Sequence, residues 1–313
     1  MSHDREYFYK YIPAEAALKI LQSRTLKYSS PAIFNDPFDT QTRMDFGFEV
    51  SELIEAFTDE QYKMIHGHEE PVGDESVELF RDIKKIWHIA KQSQQKMPKE
   101  VWRHEIKPFA EETVIICTEY LEELNNWWYR LSKASRILSL AEDHLNLLMW
   151  AHYAKDHTGV VIKFKCMPEL DTPFIAARKV NYSCKPPVIA ELSNYVKYLT
   201  GQSPDLIDYR AVFFKLFLTK STHWCYEQEW RVFIPSFNME NPSIKTDDKG
   251  QEILFDLISF HPQEIHSIYF GCKISKPDRD NIMECLQDDM RHVKKYDCIR
   301  SDREYKLDFE EVF

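Results

Sequence analysis

Residues 224–233 read WCYEQEWRVF, which puts two carboxylates, Glu227 and Glu229, two positions apart among large aromatics, with Arg231 just behind them. Extended backbone sends alternate side chains to one face. Cys225, Glu227, Glu229, Arg231 and Phe233 therefore share a side, opposite Trp224, Tyr226, Gln228, Trp230 and Val232. An unpartnered buried carboxylate is costly, so the polar side must face water, a cleft or an internal ion-pair network. In a cleft, one acid can hold or polarise a hydroxyl while the other stabilises a developing positive charge. On a sheet edge the acids would only balance Arg231 or a nearby lysine. The aromatic flanks imply burial, and buried acids of tuned proton affinity gather at functional sites.

Two other stretches hold candidate groups. In LMWAHYAKDHTG, helical spacing places Leu145, Leu148, Met149 and His152 on one face and Trp150, Tyr153 and His157 on the next. His152 reads as a hydrogen-bonded histidine at a core margin rather than a metal ligand, because no second histidine four residues away comes with a glutamate base, and no metal site is expected. Trp150 and Tyr153 suit either core packing or stacking on a flat ring. FNDPFD, residues 34–39, is good turn chemistry, or else a rigid loop offering Asn35 and Asp36 to a ligand. HGH at 66–68 reads as a solvated loop, and no GxSxG nucleophile motif occurs.

These groups need elements to hold them. YFYKYI (7–12) alternates as a strand, Pro13 opens a short amphipathic helix with Ala14, Ala17, Leu18 and Leu21 as its stripe, and LKYSS is a second strand. From about 48 to 110 the pattern is charged and helical, two or three helices elaborating a single domain that spans 1–313. ETVIICTEY (112–120) reads as a strand, roughly 121–156 as helix with Gly159 as its stop, and VVIKFK as a strand. A helix near ELSNYVKYL, another over 205–219, the strand WCYEQEWRVFIP stopped by Pro235, EILFDL, HPQEIHSIYFGCKI, a helix over 276–292 and a closing strand EYKLDFEEVF complete the order. Strands interrupted by unequal helices indicate an α+β fold rather than regular α/β alternation.

Bulk properties narrow the function classes. The chain has 313 residues, 43% of them hydrophobic, enough for a substantial core. Seven glycines, with no GxGxxG and no GxxxxGK[ST], argue against glycine-built phosphate loops. A formal charge of −11 does not favour non-specific binding to nucleic acid or anionic membrane. Seven cysteines without CxxC spacing fit reduced thiols in a cytoplasmic protein, and no apolar run is long enough for a membrane span.

YFYKYI, LKYSSPAIFNDPFD, LMWAHYAKDHTGVVIKF and WCYEQEWRVF together resemble an uncharacterised bacterial family labelled domain of unknown function 2971. More remotely, the strand, helix, strand opening and the late glutamate-bearing strand are similar to the ADP-ribosyltransferase superfamily, in particular its DNA- and RNA-modifying toxins. That resemblance implies a split β-sheet core, NAD as substrate, and transfer of ADP-ribose to a nucleic acid or protein by a toxin or antiphage effector, with an antitoxin or regulatory partner. It implies Glu229 as the catalytic carboxylate and Glu227 as the group orienting the acceptor or a ribose hydroxyl. Trp150, His152 and Tyr153 would shape the nicotinamide pocket. Lys10, Tyr11, Asn35 and Asp36 would meet the phosphates or ribose, and the second-strand position falls to Ser29, Tyr28 or Tyr153. Lys10 stands where those enzymes carry a first-strand histidine or arginine. A non-catalytic nucleotide-sensing or protein-binding module is the alternative of a different class.

Overall fold

A computed structural model describes residues 3–67, 69–92, 97–203, 206, 208–234 and 243–312. The elements run β1 (Tyr7–Ile12), α1 (Ala14–Ser23), β2 (Thr25–Ser29), α2 (Val50–Gly67), α3 (Glu78–Gln92), α4 (Lys99–Ala134), β3 (Arg136–Ala141), α5 (Leu147–His152) and β4 (Val160–Lys165). There follow β5 (Arg178–Lys179), β6 (Asn181–Ser183), α6 (Leu192–Leu199), α7 (Tyr209–Phe217), β7 (Thr219–Ser221), β8 (Glu229–Ile234), β9 (Phe255–Ser259), β10 (Ile265–Phe270), α8 (Lys276–Cys285), β11 (Lys294–Arg300) and β12 (Leu307–Val312). The fold is α+β.

The chain divides into two compact units, one of residues 1–42, 129–186 and 218–313, the other of 43–128 and 187–217. The second unit is helical. Its core joins Leu53 and Phe57 of α2, Ala110, Val114 and Cys117 of α4, and Tyr195, Val196 and Leu199 of α6. ETVIICTEY lies within α4 rather than forming a strand. Its apolar residues continue a helical stripe, because Ala110, Val114, Cys117, Leu124 and Trp128 are all buried at successive spacings of four, three, seven and four, with Leu121 half-buried inside the seven. The short run VIIC imitates a strand only when read apart from its neighbours.

The first unit is built on a mixed sheet in the order β12-β11-β10-β4-β1-β3-β2-β9, with β8 added to β3 and β5 to β8. Ala14, Ala17, Ile20 and Leu21 of α1 and Ile282 of α8 pack with Phe8, Ile162, Phe164 and Ile268 from the sheet. A separate cluster joins Tyr11, Val161 and Tyr269 to Met149 and Trp150 of α5. The alternation of YFYKYI thus sends Phe8 and Tyr11 into different cores, as a strand must. Among the described residues no helix is long and apolar enough to cross a membrane.

β3 is the strand that the helical expectation for 121–156 passes over. It pairs with β8 along its whole length, from Arg136↔Ile234 to Ala141↔Glu229. Its other partners meet it only at its ends, β1 at Tyr9↔Ala141 and β2 at Ser29↔Ile137. β1 and β2 are both antiparallel to β3, yet no ladder joins one to the other among the described residues, so the sheet is open between them.

Two further expectations are corrected. WCYEQEWRVFIP is not one strand: Thr222–Glu227 is a 3-10 turn, Gln228 is left-handed at φ 46°, and β8 begins at Glu229. Ser221 caps the turn by accepting from the His223 backbone N–H, which gives those residues a local alternative to a ladder. The last long helix ends at Cys285, well short of His292, and KKYDCIR supplies the unanticipated strand β11. Pro235 and His68 lie outside the described residues.

Gly159 does not stop α5, which ends at His152. A Cβ there would lie 2.2 Å from the Ile12 carbonyl oxygen and 2.9 Å from that of Ala154. Both obstacles are backbone, so Gly159 is required by close approach. Gly159→Ala is expected to lower unfolding stability by more than about 1 kcal/mol. Urea denaturation would show a lower midpoint at unchanged slope, and an unmoved midpoint would mean that the backbone gives way.

Candidate functional site

A cavity of about 440 Å³ opens beside the gap between β1 and β2, lined by Tyr9, Lys10 and Tyr11 from β1 and Ser139, Leu140 and Ala141 from β3. The loop after β2 adds Ile33, Phe34, Asn35 and Asp39, α5 adds Met149, His152 and Tyr153, and Lys220, Glu227 and Glu229 complete the wall. Its size is that of a small-molecule site. Lys10 closes part of the gap: its Nζ donates to the Ser139 carbonyl at 2.9 Å, between the points where β1 and β2 touch β3.

One wall is a buried charge cluster. Arg231, wholly buried, donates through Nε to Glu229 Oε1 at 2.8 Å and through Nη2 to Glu229 Oε2 at 3.0 Å and Asp39 Oδ2 at 2.5 Å. Lys220 Nζ reaches Glu227 Oε2 at 2.5 Å, Glu229 Oε2 at 3.1 Å and Asp39 Oδ2 at 3.6 Å. The Glu229 backbone N–H donates to the Tyr182 hydroxyl at 2.9 Å. Tyr153 donates a short hydrogen bond to Glu227 Oε1, and Asn35 Nδ2 donates to the Tyr153 hydroxyl at 3.4 Å.

The two glutamates move apart in proton affinity. Burial opposes the Glu229 charge, but Arg231 and Lys220 outweigh it and hold the carboxyl well below the usual carboxylate range. For Glu227 burial prevails over Lys220, and with the Glu229 charge beside it the affinity rises. Burial would discharge Lys220 and Arg231, but Glu229 and the other acids keep both protonated. Burial lowers Lys10 to about 8, only partly countered by Glu229. Asp39, Glu227 and Glu229 against Lys220 and Arg231 leave the cluster one negative charge when Glu227 is ionised and none when it is protonated. The exchangeable charge is thus on Glu227, against the cavity and Tyr153.

Of the residues singled out in the sequence, Lys10, Tyr11, Asn35, His152, Tyr153, Glu227 and Glu229 line this cavity, whereas Ser29, Asp36 and Trp150 do not. Trp150 is fully buried behind the Tyr11 ring, 5.5 Å between centroids. Asp36 Oδ1 accepts the Phe38 backbone N–H at 2.9 Å, the turn chemistry of Asn-Asp-Pro. Ser29 is held in the ladder opposite Phe255 and Ile137. His152, exposed, shares a 2.9 Å hydrogen bond with the Tyr226 hydroxyl. The two glutamates converge through Lys220, not through strand alternation.

Asp39 and Lys220 were not singled out. Asp39 sits in the quoted FNDPFD, where the neighbouring turn residues draw attention first. Lys220 carries one weak signal, a basic residue just after the apolar run VFFKLFLT.

Breaking the cluster has a predictable cost. Arg231→Met leaves two buried carboxylates short of a partner and is expected to destabilise by about 3–5 kcal/mol, measured by urea unfolding at neutral pH. The lowered Glu229 affinity stabilises the fold above the ordinary carboxylate range and is lost as pH falls through its folded value. Glu229→Gln should therefore flatten the acid loss of stability. The raised Glu227 affinity has the opposite sign, so Glu227→Gln should cost little at neutral pH.

A family model described as "Protein of unknown function (DUF2971)" matches residues 149–232. The match covers Tyr153, Lys220, Glu227, Glu229 and Arg231, but not Lys10 or Asp39. No curated protein and no solved structure matches this chain.

Proposed function

We propose that the protein transfers ADP-ribose from NAD to a macromolecular acceptor, a nucleic acid or a protein. The observation that carries this reading is the pair of carboxyls at one cavity whose surroundings drive their proton affinities in opposite directions. Such a pair separates a fixed anion from an acid-base group. The gap between β1 and β2 is consistent with the split core of the ADP-ribosyltransferase resemblance.

The chemistry requires little else. As the bond from nicotinamide to the ribose C1 breaks, positive charge spreads over C1 and the ring oxygen, and the cluster, net negative while Glu227 is ionised, stabilises it. Bond formation from the acceptor to C1 releases a proton, which Glu227 is suited to take. Nicotinamide leaves with the bonding electron pair. The roles expected of the two glutamates exchange in this proposal: Glu227 faces substrate, and Glu229 positions it through Lys220. Tyr153 orients Glu227, and Lys10 meets phosphate or ribose oxygens. The setting we propose is a cytoplasmic toxin or antiphage effector restrained by a regulatory partner.

One observation favours the alternative, a nucleotide-sensing module without turnover. Both oxygens of Glu229 are occupied by Arg231, with Lys220 on one of them, so the cluster is closed on itself.

Incubation with NAD and candidate acceptors, followed by mass spectrometry, separates the two. Nicotinamide release with a matching mass gain on the acceptor, lost about 100-fold or more in Glu227→Gln, is the expected result. Saturable NAD binding without nicotinamide release selects the sensing module. Lys10 is protonated only below about 8, so NAD affinity should fall as pH rises through that value, and Lys10→Arg should remove the fall.

A further inference from the structure

Beyond the cavity, the sheet of the first unit carries a polar surface of its own. Across β1, β4, β10 and β11, Tyr9, Lys163, Ser267 and Lys294 are direct cross-strand neighbours, so their side chains share one face. The pair Tyr7↔Lys165 continues that face on one side. On the other side Tyr11, Val161 and Tyr269 pack with Met149 and Trp150 of α5. Lys163 Nζ lies 3.7 Å from the centre of the Tyr7 ring and 5.8 Å from that of Tyr9, so rings rather than an acid hold it. Of the three lysines, Lys294 alone has an acid within ion-pair distance among the described residues, Glu311 at 3.9 Å. His266, 4.9 Å from Tyr7 between ring centroids, feels their field. Burial first, then Lys163, Lys294 and Lys165 disfavour a proton on it, opposed by Glu6. Three lysines against Glu6 and Glu311 leave this face positive in a chain whose formal charge is −11.

Flat rings stand beside the lysines. Tyr9, His144, Tyr269 and Tyr296 follow one another in near-parallel contacts, 5.2, 4.2 and 4.9 Å between centroids. Tyr9 also lines the cavity that Glu227 lines. Strand geometry puts Tyr7 and Tyr9 about 7 Å apart on the same face. We infer that this face docks the acceptor and that the acceptor is a single-stranded nucleic acid, its phosphates on Lys163, Lys165 and Lys294 and one base stacked on Tyr9 at the cavity. Ammoniums alone suit any polyanion, but an acidic peptide gains nothing from the row of rings, whereas every base has a flat face. A duplex keeps its bases stacked on one another and offers none to Tyr9. Negative charge elsewhere on the chain repels a polyanion and so confines it to this face. The inference rests on the transfer reading only in calling the occupant an acceptor.

Fluorescence anisotropy on the intact protein tests this with labelled single strands of about 12 nucleotides, DNA and RNA, with the corresponding duplexes and with a polyglutamate peptide. Single strands are expected to bind best, their log affinity falling as log salt rises. Lys163→Gln combined with Lys165→Gln should weaken that binding about tenfold or more and reduce the salt slope by about 1.4, the share of two phosphates. Lys19→Gln with Lys249→Gln, which removes the same charge from exposed positions elsewhere, should leave the slope unchanged. Tyr9→Leu should weaken binding about fivefold or more at an unchanged slope. Equal losses in the two lysine pairs, or duplex or polyglutamate bound as tightly as single strands, overturns the inference. So does the absence of saturable strand binding by the native protein, a result that needs no variant to fold. Strand binding with these features but without nicotinamide release from NAD keeps the docking surface and removes the transfer reading. Nicotinamide release with mass gain on a protein, and no strand bound, does the reverse.

Discussion

The site depends on one guanidinium that has no access to water. Arg231 is held by Glu229, which begins the same strand, and by Asp39, which comes from the loop after β2. Neither the charge nor its two partners could be buried alone, because each would lose its hydration without compensation. Together they tie a loop to the sheet, and that loop carries Ile33, Phe34 and Asn35 to the cavity. Lys220 extends the network to Glu227, and Tyr153 carries it to the cavity and to Asn35.

The same network sorts the acids. Glu229, nearest Arg231, is ionised by its surroundings, whereas among the described residues Glu227 has Lys220 alone as a cation and Tyr153 as a donor. Two chemically identical side chains thus gain different duties from distance to a buried cation. The open gap beside β3 gives that difference a use. A sheet paired without interruption would leave no cavity at Ser139, and Lys10 satisfies the carbonyl that the gap exposes.

Local patterns were legible where they repeat over several residues. β1, α1, β2 and β4 are what the alternation and stripes of their residues predict. β3 was hidden because RILSLA is short, apolar throughout and preceded by a long helix, so periodicity could not separate it from that helix. The turn at Thr222–Glu227 was hidden for a related reason: THWCYE is short, has no period of its own and runs directly into the strand EWRVFI, and only the left-handed Gln228 separates the two.

The sequence by itself determined that acids, a base and aromatics would meet near WCYEQEWRVF, because a carboxylate in an apolar stretch needs partners wherever it lies. It also determined the α+β class, through the strand and helix periods of the first unit. Only the tertiary structure decided which partners those acids have. Asp39 lies 192 positions from Arg231, and Tyr153 74 from Glu227. Contacts at such separations follow from how strands are ordered in the sheet, and the energy that orders them is shared among many apolar residues rather than written at any one position.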